Sequence, residues 1–222
     1  MQTELMTTMQ LRLQQLYELD IPFNVNQFLI TDPELVQRLD QSVNPREIPE
    51  KLLICQSGDD IDLSLYLDPD VLGSLTVNNP EQKLDTSNIE NYLTVLEGVS
   101  HFLYLVWNAR FNRSISLFEM ELQAEVDKFV LSLLLANSQQ STGLLYDLFQ
   151  MLFEDFRYSE NMTRVERQRY EAANYYAGLY CRELSRPLVG LPDNVAYLND
   201  LRRFYRLTNR LKIDHISSLC LK

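Results

Sequence analysis

The sequence predicts an α+β fold that is predominantly α-helical: a helical bundle over about 86–222, preceded by an N-terminal portion with one β-hairpin at about 51–67. Three observations carry this. Ser87-x-x-Glu90, Ser116-x-x-Glu119 and Thr163-x-x-Glu166 each pair a hydroxyl with a glutamate three residues on, a pattern that satisfies the free N–H groups of a helix start. Each stands before a run of about 20 residues with helical periodicity. One region alternates as a strand pair does: Lys51 to Gln56, the turn residues Ser57-Gly58-Asp59-Asp60, then Ile61, Leu63, Leu65 and Leu67 with other residues between them.

The elements follow in order. Residues 4–19 carry Leu5, Met9, Leu11, Leu13, Leu16 and Tyr17 among Gln and Glu, which predicts an amphipathic helix. A lone hairpin is marginal in water, so residues 21–30 are the candidate third strand. Asp32-Pro33-Glu34 reads as N-cap, first-turn proline and first-turn acid, opening a short helix through Leu39. Asp68-Pro69 and Asn79-Pro80 predict two further helix starts. Long helices are expected at 88–108, 117–137, 142–156 and 164–185. Pro187, Gly190 and Pro192 break the chain before a last helix at 193–212. The connection at 76–86 is short, so residues 1–222 read as a single domain, with a subdivision into 1–80 and 86–222 as the alternative. No internal repeat occurs at a fixed period.

Composition narrows the class. Six glycines in 222 residues exclude a linker-dominated chain. Cys55, Cys181 and Cys220 are odd in number and widely spaced, which argues against a disulfide framework or a cysteine zinc site. The first residues lack a basic stretch and an apolar core, and no apolar run approaches the ~20 residues of a membrane span. These features predict a cytoplasmic protein. The net charge is -11 but uneven. Residues 155–222 hold 12 basic and 8 acidic side chains, and the rest holds 8 and 23. An acidic body with a basic C-terminal third fits internal pairing or a partner, while the overall acidity opposes a polyanion at long range.

Nucleotide-binding glycine loops, nucleophile elbows, histidine-glutamate zinc signatures and calcium loops are absent from the sequence, and it has two histidines. The most suggestive polar set spans two consecutive helices. Glu90, Thr94, Glu97, His101, Tyr104 and Asn108 lie on one stripe, and Glu121, Glu125, Lys128 and Ser132 on another. Facing antiparallel stripes bring Glu97, His101, Glu121 and Glu125 together, a ligand set suited to iron or manganese. Against this, amphipathic helices need a polar face, and carboxylate-bridged bundles use Glu-x-x-His, whereas Glu97 and His101 are four apart. A buried His101 bridged to a glutamate is the structural alternative.

Two surfaces suit partners. Arg202, Arg206 and Arg210 share a helix face with aromatic residues between them, and Tyr175 and Tyr176 lie on a helix rich in arginine. The leading expectation is a non-enzymatic interaction or regulatory protein acting through helix-face recognition of a protein partner or of itself, without a cofactor. The alternatives are a metal-dependent helical-bundle enzyme built on the Glu/His cluster and a nucleic-acid-binding accessory factor built on the basic C-terminal helix.

Overall fold

The computed structural model describes residues 2–40, 48–58, 60–155, 162–185 and 195–220. Asp59 of the predicted turn and the breakers Pro187, Gly190 and Pro192 lie outside them. Among the described residues the fold is α+β and predominantly helical, with one small three-stranded sheet.

Helix α1 (Gln2–Tyr17) forms where the periodicity places it, burying Met6, Met9, Leu13 and Tyr17 and leaving Leu11 exposed. Burying a Met or Leu stabilises by about 1.5–3 kcal/mol, so this stripe holds the helix to the core. A 3₁₀ turn (Val25–Phe28) leads into strand β1 (Leu29–Ile30), so the expected third strand exists but is two residues long. The Asp32 side chain accepts from the Glu34 and Leu35 amides and starts α2 (Pro33–Leu39). Strands β2 (Glu50–Ser57) and β3 (Asp60–Leu67) form the antiparallel hairpin, with Gly58 at φ 64° supplying the left-handed turn residue. β1 pairs parallel to β3, giving the order β1-β3-β2.

Asp68 caps α3 (Pro69–Val77). Asn79-Pro80 does not open a helix. It makes a single turn, and Gln139 holds that loop by accepting from the Leu84 amide and donating to the Pro80 carbonyl. The Ser87 capping box also fails. The Ser87 hydroxyl donates to Asp85 and accepts from Asn78, and α4 (Ile89–Ala109) starts at Asn88 without a side-chain cap. The boxes at Ser116 and Thr163 do form, opening α5 (Leu117–Ser138) and α7 (Arg164–Ser185) around α6 (Thr142–Phe153). The single last helix expected at 193–212 is two helices, α8 (Val195–Arg206) and α9 (Asn209–Cys220). Arg113 stabilises the break, donating to the Arg206 and Leu207 carbonyls.

Helix α5 is the axis of the molecule. It packs on α1, α4, α6 and α7 and is buried for almost its whole length. A helix buried all round is ordinarily apolar. This one carries Glu119, Glu121, Gln123, Glu125, Asp127, Lys128 and Ser132 into the interior. α4 and α5 are antiparallel, because Glu97 meets Lys128 while His101, one turn on, meets Glu121. No helix among the described residues is long and apolar enough to cross a membrane.

Candidate functional site

The polar stripes of α4 and α5 face each other and close on a buried cluster of charges. Lys128 lies between two carboxylates, its Nζ 2.9 Å from Glu97 Oε2 and 2.7 Å from Glu125 Oε1. His101 lies between two others, with Nδ1 3.4 Å from Glu50 Oε1 and Nε2 3.5 Å from Glu121 Oε2. Arg169 of α7 stands 3.9 Å from Glu121 Oε1. The helices thus bring Glu97, His101, Glu121 and Glu125 into one cluster, as pairs about Lys128 and His101.

Glu50 is the member that the sequence did not reveal. It is the first residue of β2 and reaches the cluster because α4 has no side chain at Gly98. A Cβ there would stand 2.9 Å from Leu65 Cδ1, 3.0 Å from Glu50 Cγ and 3.2 Å from Glu50 Oε1. A bare stretch of helix backbone is therefore the seat on which the hairpin base and its carboxylate rest.

The electrostatics follow from burial and pairing. Burial alone would strip the proton from His101, but Glu121 and Glu50 outweigh it and raise the imidazole well above its ordinary value. Burial raises Glu50, partly offset by His101. Burial also raises Glu125, and Lys128 only moderates that. For Glu97 burial acts in the same upward direction, yet the ammonium of Lys128 prevails and lowers it. Lys128 is itself raised, because Glu125 and Glu97 overcome its burial. A cleft of about 540 Å³ between α4, α5 and α6 reaches the cluster at Glu97 and Lys128, with Glu90, Thr94 and Asp155 and the apolar Leu93, Met151 and Leu152 on the rest of its wall.

A second polar network occupies the opposite side of α5. Asp127 accepts from Tyr17, Ser100 and Gln123, and Lys212 of α9 donates to Gln123. The ammonium of Lys212 lies 4.9 Å from the Tyr104 ring centre and 4.4 Å from that of Phe204. Burial pushes Asp127 up to about 6 and draws Lys212 down to about 7.

The residues expected to meet partners divide. Arg202 and Arg206 do not share a helix with Arg210, which belongs to α9. Both cap the end of α1: Arg202 Nε donates to the Leu16 carbonyl at 3.0 Å and Arg206 Nη2 to the Tyr17 carbonyl at 2.9 Å. Arg202 also pairs with Glu18, and Arg206 lies over the Trp107 ring. These heads neutralise the negative end of a helix inside their own chain. Arg210 is exposed. Tyr175 is exposed and Tyr176 half-buried against Phe118.

One exposed feature is a surface that sequence periodicity did not identify. The outer half of the hairpin leaves the body: residues 54–58 and 60–62 are exposed, whereas Leu65 and Leu67 are fully buried. Leu52 opposes Leu65, Ile54 opposes Leu63 and Gln56 opposes Ile61, so these side chains share one face of the ribbon. That face runs from the core out to Ile54 and Ile61, which are 45% and 43% exposed. β2 has a neighbour on one side only, and β1 covers only Leu65 and Tyr66 of β3. Both edges of the arm are open among the described residues.

Fold and site together define a helical bundle with buried charges on two sides of its central helix and a projecting β-arm. No family model matches the chain, and no curated protein or solved structure is similar to it at a significant level.

Proposed function

We propose that this is a non-enzymatic cytoplasmic interaction protein that engages a protein partner, or a second copy of itself, through the hairpin arm. The apolar face of that arm, running from buried Leu65 to exposed Ile54 and Ile61 between two open edges, is the observation that supports the reading. Open strand edges recruit further strands, and a projecting two-stranded ribbon gains stability from such pairing. Asp60 and Asp62 lie on the arm and favour a neutral or basic partner over an anionic one. Recognition in this reading shifts from the helix faces to the arm, because Arg202 and Arg206 serve α1. Tyr175 and Arg210 remain exposed on their helices. A reducing compartment suits the free thiols, of which Cys55 and Cys220 are exposed.

The test is capture of partners from the protein's own cells, with the oligomeric state read by light scattering. Ile54→Asp and Ile61→Asp together are expected to abolish capture or self-association while the melting temperature stays within a few degrees, because both side chains are already half in water. Bismaleimide cross-linking through Cys55 distinguishes a second copy from a foreign partner. The reading fails if the wild-type chain is monomeric and retains nothing, or if the double variant binds as the wild type does.

A further inference from the structure

We propose that Glu50, Glu97 and His101 form a binding site for one divalent transition-metal ion, beside the cleft between α4, α5 and α6 whose wall includes Glu97. This site is independent of the hairpin arm. One ligand atom from each of the three residues lies within 4.8 Å of the other two. Atoms that share an ion at about 2.1 Å stand roughly 3–4 Å apart. The 3.4 Å between His101 Nδ1 and Glu50 Oε1 already has that spacing.

Charge supports an ion in this place. Glu50, Glu97, Glu121 and Glu125 face one ammonium, Lys128, and one guanidinium, Arg169. In the ligating state, with the imidazole neutral and the carboxylates ionised, four negative charges meet two positive ones, and a divalent ion balances them. Two buried atoms of the cluster are unsatisfied, and both stand beside the ion's place rather than in it: Nε2 of His101 faces Glu121, and Glu125 holds Lys128. His101 and Glu125 are each more than nine-tenths buried, yet His101 Nε2 and Glu125 Oε2 have no hydrogen-bond partner. Buried polar atoms are ordinarily satisfied.

The surroundings are also those of a ligating histidine. When Nδ1 binds an ion, Nε2 carries the proton and needs an acceptor behind it. Glu121 Oε2 stands there at 3.5 Å, itself backed by Arg169. A carboxylate behind the imidazole fixes its tautomer and orientation. Glu121 is thus a positioning residue rather than a ligand. Glu125 holds Lys128, whose ammonium fills the place between Glu97 and Glu125 where a second ion would otherwise sit. One nitrogen and two carboxylates suit Mn²⁺, Fe²⁺ or Zn²⁺ over Ca²⁺.

The experiment is a titration of chelator-stripped full-length protein with Mn²⁺ and, separately, Zn²⁺, followed by calorimetry, with bound Mn²⁺ counted by electron paramagnetic resonance. The expected result is one ion per chain and a melting temperature that rises on loading. Glu50→Gln and His101→Gln are each expected to weaken binding at least tenfold and to abolish that rise. Glu121→Gln is expected to weaken it about tenfold, as positioning residues do. The proposal is overturned if the wild type shows no saturable site for either ion, or if Glu50→Gln and His101→Gln bind as the wild type does. A variant that does not fold leaves the wild-type stoichiometry to decide. Ile54→Asp, remote from the cluster, is expected to bind the ion normally, so failure of the arm and failure of this site read out separately.

Discussion

Lys128 of α5 and Lys212, which packs beside α5, are both buried, at 4% and 0% exposure, and their surroundings treat them in opposite ways. Along the helix, Glu121, Glu125 and Lys128 fall on one side, and Gln123 and Asp127 on the other, by the 100° step of the α-helix. On the first side the ammonium touches two carboxylates, which overcome its burial and raise its pKa. On the second side Lys212 touches a neutral amide and two rings, and burial prevails. The cost of leaving water is similar for both. The number of carboxylates within hydrogen-bond reach decides which lysine keeps its proton.

The largest expected effect tests the first side. Lys128→Met removes the ammonium between Glu97 and Glu125 and leaves two interior carboxylates facing each other. Breaking a buried pair from one end costs about 3–5 kcal/mol, and denaturant unfolding at neutral pH would measure it. The loss is expected to shrink in acid, where the carboxylates take up protons. A change under 1 kcal/mol would mean that Lys128 is not paired as described.

Lys212→Met is expected to act in the opposite direction. The folded-state pKa of Lys212 is lowered from 10.5 to about 7 by burial. Between those values the unfolded chain binds a proton that the folded chain does not, so this lysine makes the wild type gain stability as pH rises from 7 towards 10.5. Its charge penalty is therefore fully present at pH 6. There the methionine variant is expected to be more stable by about 1–4 kcal/mol. That advantage should fall by about 1.4 kcal/mol per pH unit above pH 7. Asp127, raised to about 6, titrates below the range from pH 7 to pH 9, so the slope there belongs to Lys212. Thermal melts of both chains at pH 7 and pH 9 read that slope. An advantage that does not change with pH would show that Lys212 is charged in both states.

The sequence made the two faces of α5 unequally legible. Glu97, His101, Glu121, Glu125 and Lys128 follow helical spacing within two adjacent helices, so periodicity alone aligns them. Glu50 comes from a strand, and Lys212 from a helix far along the chain. Nothing local marks either one, because their partners are set by tertiary packing. The same limit applies to the fold. At Ser116 and Thr163 the hydroxyl accepts from the amide of the glutamate three residues on, and the box forms. Ser87 has the same pattern, but Asp85 and Asn78 take its hydroxyl. Periodicity places Arg202, Arg206 and Arg210 on one helix face, and the break after Arg206 divides it. Alternation marks the arm as a hairpin, but it is the same for a covered face and for one that leaves the body.

Gly98→Ala sharpens the comparison with the smallest perturbation. Alanine favours a helix interior by about 1 kcal/mol over glycine. Here its Cβ would meet Leu65 Cδ1 at 2.9 Å and the Glu50 side chain at 3.0 Å. Leu65 is fully buried and has little room to move, and overpacking of this kind costs about 1–3 kcal/mol. The two effects leave a net loss of about 1 kcal/mol. The consequence for Glu50 is larger in kind, because the carboxylate must leave its place beside His101 Nδ1. Gly98→Ala is therefore expected to weaken Mn²⁺ binding more than it lowers stability. The pH dependence that Lys212 confers, on the far side of α5, should remain as in the wild type. If the substitution altered that dependence as well, the two networks would be coupled through α4 and α5 rather than independent, and the contrast between the two lysines would belong to one cluster instead of two.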